Sequence, residues 1–130
     1  MKLENIKFKA KRIDNGKWVY GSLIRSTTGI KERAYIVDNF SCMSNYSVIG
    51  VDPSTVCQFT GLKDCKGREV WEGDVIKDPY LGKECTIEWN NHLCSFTALD
   101  EINSSDKPLG ALVKSLGWYV VGSKFNKNNV

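Results

Sequence analysis

Ile6, Phe8 and Ala10 alternate with Lys7, Lys9 and Lys11, the two-residue period of a strand with one apolar and one polar face. Asp14-Asn15-Gly16-Lys17 has the composition of a hairpin turn, so Lys17–Leu23 is predicted to return as a second strand carrying Trp18, Tyr20 and Ser22 on one face. Ser26–Arg33 reads as a polar loop, Ala34–Val37 as a short strand, and Asn39–Asn45, with Cys42 and Met43 inside it, as another loop. Tyr46–Val51 (YSVIGV) is the next strand and Asp52-Pro53 stops it. Ser54 and Thr55 offer a cap for one helical turn.

Gln58–Ile76 (QFTGLKDCKGREVWEGDVI) is the densest run of turn chemistry in the chain. Gln58–Leu62 is extended; Asp64-Cys65-Lys66-Gly67 suits a type I turn with Gly67 in the left-handed region; Arg68–Trp71 is the returning strand. Glu72-Gly73-Asp74 bends the chain again into a strand at Val75-Ile76, which makes the whole stretch a corner between sheet layers. Glu69, Glu72 and Asp74 raise the question of a cation site, but a hard cation needs several converging oxygens and Glu-Gly-Asp lacks the loop length of a calcium site. The preferred reading is a turn in which Asp74 accepts backbone hydrogen bonds while both glutamates are solvated.

Beyond a loop at Pro79–Gly82, a two-residue turn at Asn90-Asn91 would oppose Trp89 to His92, Ile87 to Cys94 and Cys85 to Phe96, all on one face. That register argues against a Cys85–Cys94 disulfide. His92, the only histidine, sits two residues from Cys94; a strand repeat of roughly 7 Å is too long for a Cys–His pair, and zinc would need further ligands. Asn103–Asp106 reads as a loop. Pro108 then opens a short helix with Leu109, Leu112, Val113 and Leu116 on its apolar face and Gly117 at its end. Trp118–Gly122 is the closing strand, and Lys124–Val130 a polar tail expected to fray.

TGLKDCKGREVWEGDVI, together with IKFKAKRIDNGKWVYGSLI, VDPSTVCQFTGLKD and WYVVGS, resembles the YopX-like family of phage and mobile-element proteins. Cys65, where a second basic residue is usual, and Trp71, where tyrosine is common, are small departures that leave the turn logic intact. The resemblance implies an all-β fold, a phage or prophage origin and no established activity, and it transfers no catalytic residue; it also implies an extended run through TVCQF, which is preferred over a helical turn at Ser54 and Thr55. Taken with the periodicity, the fold class is mainly β: small, strongly bent sheets or SH3-like β-barrels, with one short helix near the C-terminus. The chain is expected to be a single domain over residues 1–130, built as one body or as two small β subdomains of about 1–57 and 58–125.

Composition narrows the function. At 130 residues with 42% hydrophobic and 25% charged positions, the chain is an ordinary globular one. There is no apolar run of membrane-spanning length, and the opening MKLENIKFKAKR lacks the apolar stretch of a signal peptide, so a cytoplasmic protein is expected, and the resemblance implies that the cell is a bacterial host. Five cysteines with no CxxC pair point to small buried hydrophobes, with Cys65 the one expected to be exposed.

Charge is uneven: residues 1–33 hold nine Lys/Arg against three Asp/Glu, a balance of +6 within a total of +3. Lys7, Lys9, Lys11, Arg12 and Lys17, with Trp18 or Tyr20 to stack a base, form a candidate nucleic-acid surface. The competing reading, which is preferred, is a strand protected from edge pairing by its lysines. With no nucleophile elbow, phosphate loop or paired metal ligands, no catalytic residue, cofactor or metal is assigned. The expected role is an interaction module that binds itself or another phage or host protein, with nucleic-acid binding as the alternative.

Overall fold

The computed structural model describes residues 2–27, 29, 31–38, 47–99 and 104–129, so the expected loop around Cys42 and Met43 lies outside them. The chain divides into two compact units, Met1–Phe59 and Thr60–Val130, and the division falls inside one strand. The structure is mainly β, as the alternating pattern predicts.

In the first unit β1 (Phe8–Lys11), β2 (Trp18–Ser26), β3 (Arg33–Asp38) and β4 (Ser47–Val51) form an antiparallel meander, and β5 (Cys57–Lys63) returns to pair antiparallel with β1. Their order is β4-β3-β2-β1-β5. Ala10, Val19, Ala34, Ile36 and Val51 make the buried centre, with Phe8, Leu23, Ile49 and Val56 packed around it. The period-two pattern therefore sends Phe8 and Ala10 inward as expected, whereas Ile6 stays exposed.

β2 is long because it serves two partners: Trp18–Gly21 pairs with β1 and Ser22–Ser26 with β3. The hand-over is at Gly21, where a Cβ would overlap the Val37 carbonyl oxygen, so only glycine lets the neighbouring strand come so close at the bend. Past β1, Arg12 bridges Val51, Ile13 N–H donates to the Gly50 carbonyl at 3.2 Å, and Asp52 N–H donates to the Lys11 carbonyl at 2.9 Å. These bonds curl β4 toward β1, yet β4 and β5 share no ladder among the described residues. The result is a strongly bent open sheet, not a closed SH3-like barrel.

Pro53–Thr55 is one 3-10 turn, not the extended segment that the resemblance implies. Asp52 caps it by accepting from the Ser54 N–H at 3.0 Å, and Thr55 Oγ1 both donates to the Asp52 carbonyl and accepts from the Lys11 N–H. Local capping and a bond to β1 outweigh the extended preference.

The second unit repeats this connectivity. β7 (Asp74–Lys77), β8 (Glu84–Asn90), β9 (Ser95–Leu99) and β10 (Ser104–Pro108) form a meander, a helical turn follows, and β11 (Tyr119–Ser123) returns to pair antiparallel with β7. The order is β10-β9-β8-β7-β11, and β6 (Glu69–Trp71) lies beside β5. Val70, Ile76, Cys85, Ile87, Ala98, Leu109, Leu112, Val113 and Trp118 form its core.

Four expectations are corrected here. The β8–β9 loop spans four residues, not two: Asn90 pairs with Ser95, Trp89 with Phe96 and Ile87 with Ala98. Asn90 Oδ1 accepts from the His92 and Leu93 N–H groups, and Cys94 takes a positive φ of 50°, which together stabilise the longer loop. Ser104–Asp106 belongs to β10 instead of a loop; Asn103 lies outside the described residues. The helix after Pro108 winds as a π-turn over Ala111–Ser115, with Leu116 N–H donating to the Ala111 carbonyl at 3.1 Å. This wider winding keeps Leu109, Leu112 and Val113 buried but rotates Leu116 out to solvent. Lys124–Asn129, expected to fray, forms a 3-10 turn anchored by Lys124, whose N–H donates to the Gly73 carbonyl and whose ammonium meets Glu88 at 3.2 Å.

Candidate functional site

The basic hairpin was the sequence's own candidate. Antiparallel pairing places Lys9 opposite Tyr20 and Lys11 opposite Trp18, so the lysine row and both aromatics share one face of β1 and β2. Phe59 joins this face, since its N–H donates to the Lys7 carbonyl at 3.0 Å. The lysines are laid across the rings: Lys7 Nζ is 4.6 Å from the Phe59 ring centroid, and Lys9 and Lys11 are 4.5 and 5.4 Å from that of Trp18. Each such contact contributes about 0.5–2 kcal/mol, more as water is excluded. Lys9 is only 7% exposed. The row is thus not the solvated edge that the alternation suggests; its stems cover aromatic surface while the charges meet the ring faces.

Arg12 lies at the start of the turn, where its Nε and Nη2 donate to the two Asp14 carboxylate oxygens at 2.9 and 2.8 Å. This forked pairing holds the Arg12 pKa above its ordinary value and the Asp14 carboxyl below its own. Lys17 is exposed, and Tyr20 is 50% exposed while Trp18 is half-buried. All seven predicted residues are therefore held in one hairpin, with Lys17 and Tyr20 offering the most accessible charge and ring.

The corner residues tie the backbone together. Asp64 is buried, its Oδ1 accepts from the Lys66 and Arg68 N–H groups at 2.9 Å, and its Oδ2 accepts from the Val120 N–H at 3.0 Å. Gly67, at φ 80°, closes the turn by donating to the Asp64 carbonyl. Burial pushes the Asp64 carboxyl up, but the three backbone donors and the Arg68 charge, 3.5 Å away, outweigh it and leave the pKa lowered. Asp74 accepts from the Trp71 N–H at 2.8 Å, as expected of a turn residue, whereas Glu69 and Glu72 are half-buried and have partners, so they are not the solvated pair expected. Among the described residues no group of three or more His, Cys, Asp or Glu is placed to hold a metal ion. His92 and Cys94 fall in the β8–β9 loop, both exposed, and Cys94, expected to be buried, donates to the Asn91 carbonyl. Cys57 and Cys85 are buried and Cys65 exposed, as expected.

The β7–β8 loop went unremarked in the sequence beyond its turn composition. Its backbone is stapled by Asp78: the carboxylate accepts from the Tyr80 N–H at 2.9 Å, the carbonyl accepts from the Gly82 N–H at 3.0 Å, and the Asp78 N–H donates to the Lys83 carbonyl at 2.8 Å. Gly82 completes it with φ 72°. On this fixed support Tyr80 and Leu81 are 87% and 83% exposed. A turn needs neither residue, so an adjacent aromatic and leucine at its tip was the signal available in the sequence. Tyrosine is among the residues enriched in protein interfaces, and the neighbouring leucine adds apolar area.

No helix among the described residues is long and apolar enough to cross a membrane. The family model described as YopX protein matches residues 7–128 of the chain. No curated protein matches it.

Proposed function

The chain belongs to the YopX family, and on that premise we propose that it is a non-enzymatic phage or prophage accessory protein of the bacterial cytoplasm, acting as a small β interaction module through self-association or by binding another phage or host protein. The observation that carries this reading is the Asp78–Lys83 loop, which presents Tyr80 and Leu81 on a backbone already fixed by three hydrogen bonds. Pre-ordering lowers the conformational cost of docking, and paired apolar anchors supply the gain. Two copies of one chain carry the same loop, so a two-fold contact brings like to like. Light scattering on the purified protein is expected to give a mass above 14.6 kDa at high micromolar concentration. A mass of one chain throughout that range counts against self-association.

A second reading, nucleic-acid binding, is favoured by the gathering of Lys7, Lys9, Lys11, Arg12, Lys17, Trp18 and Tyr20 in one hairpin, within residues 1–59 that hold nine Lys/Arg against five Asp/Glu. Since Trp18 already lies beneath two ammonium groups, Tyr20 is the ring better able to stack a base. This reading expects affinity for single-stranded DNA that falls steeply with salt, and a Lys17→Glu change that flattens the salt slope by about one. Absence of binding at low salt contradicts it.

A further inference from the structure

A cavity of about 330 Å³ opens on the first unit, and neither the lysine row nor its rings line it. Ile13 from the β1–β2 turn, Tyr35 from β3 and Pro53 from the 3-10 turn give it apolar surface, backed by Ala34 and Val51 of the buried centre. Its position follows from bonds already described: Ile13 N–H to the Gly50 carbonyl ties the turn to β4, and the Asp52 cap fixes Pro53. Ile13 is 72% exposed although it stands over this cavity, so an apolar side chain is displayed at its mouth.

Among the charged lining residues two are basic and one is acidic. Lys31 and Arg33 line the cavity, and among the described residues neither has a carboxylate partner. The one acidic lining residue, Glu32, is neutralised by Arg25, whose Nε donates to Glu32 Oε1 at 2.7 Å. An occupant therefore meets apolar side chains and two cations that have no carboxylate partner among the described residues. The volume lies at the low end of ligand sites, which span about 300–1,000 Å³, and suits a bulky side chain better than a large cofactor. Two cations are few for tracking a phosphate backbone, whose binding grows with each phosphate neutralised.

We propose that this cavity is a docking site for an acidic peptide segment of a partner protein, with one bulky apolar side chain seated between Ile13, Tyr35 and Pro53 and flanking carboxylates on Lys31 and Arg33. No residue of the Tyr80–Leu81 loop lines the cavity, so each is tested with its own variants.

The probe is a capped, fluorescently labelled peptide of one tryptophan between glutamates, titrated into the full chain at low salt, with amide shifts mapping the contact. Binding is expected with a Kd of about 1 mM or tighter, and shifts at Ile13, Lys31, Tyr35, Gly50 and Val51. Replacing the tryptophan by alanine, or the glutamates by lysines, is expected to weaken it about tenfold each. Ile13→Ser and the pair Lys31→Glu with Arg33→Glu, all at exposed positions that the fold does not need, are expected to do the same with an unchanged circular-dichroism spectrum. The proposal is overturned by no binding, by equal binding of the alanine or lysine peptides, by variants that bind as wild type, or by a single-stranded DNA oligomer outcompeting the peptide for the same amides.

Discussion

Asp64 holds the central corner from the inside. Its carboxylate joins the turn at Lys66 and Arg68 to Val120, 56 residues further along the chain. Asp64→Ala strands these donors and is expected to cost about 3 kcal/mol, read as a lower urea midpoint at neutral pH. Asp64→Asn costs less, because one oxygen remains an acceptor while its amide faces a donor. The sign of the pH effect follows from a folded pKa below the ordinary 3.8. The charge contributes fully above the unfolded value and is lost as pH falls through the lower folded one. Wild type and Asp64→Asn should therefore keep a constant gap from neutral pH down to the carboxylate range and converge below it. The turn itself was legible, since Asp at its first position and Gly67 at its fourth are local chemistry. The bond to Val120 was not, because no local pattern specifies which distant N–H a buried carboxylate will meet.

Elements were legible where a period fixed a face. Along β8 and β9 the expected and observed registers differ by an even number of residues, so Cys85, Ile87 and Trp89 keep the face they were given even though the loop is longer. Trp89 now meets Phe96 edge to face at 5.1 Å. The lysine row misled for a related reason: alternation tells which face a side chain takes but not what covers that face. Lys9 is nearly buried against Trp18. Lys9→Met keeps the stem and removes the charge, and is expected to lower stability by about 1 kcal/mol and to shift tryptophan emission. Unaltered emission and midpoint would mean the ammonium contributes nothing there. At the bend of β2, Gly21→Ala is expected to cost about 2 kcal/mol, because the obstacle is the Val37 backbone and not a movable side chain. A thermal melt indistinguishable from wild type would contradict that reading of the bend.

Across the whole molecule the same connectivity occurs twice: a four-stranded meander, a helical turn, and a last strand pairing with the first. The sequence marks this repeat at its first turn, since Arg12–Lys17 and Asp78–Lys83 both end in Gly-Lys and close through the same two backbone hydrogen bonds. It also displayed unequal charge. Residues 60–130 hold nine Lys/Arg against ten Asp/Glu, so the positive excess resides in the first unit. The proposed self-association at Tyr80 and Leu81 draws on apolar contact and should change little between low and moderate salt, whereas any binding through the basic hairpin should weaken steeply. The most direct test is sedimentation velocity over a concentration series, comparing wild type with the double variant Tyr80→Ser, Leu81→Ser. The account predicts that the wild type grows beyond 14.6 kDa as concentration rises, while the variant, equally folded, stays at one chain. Identical behaviour of the two proteins, whether both monomeric or both associated, would contradict it.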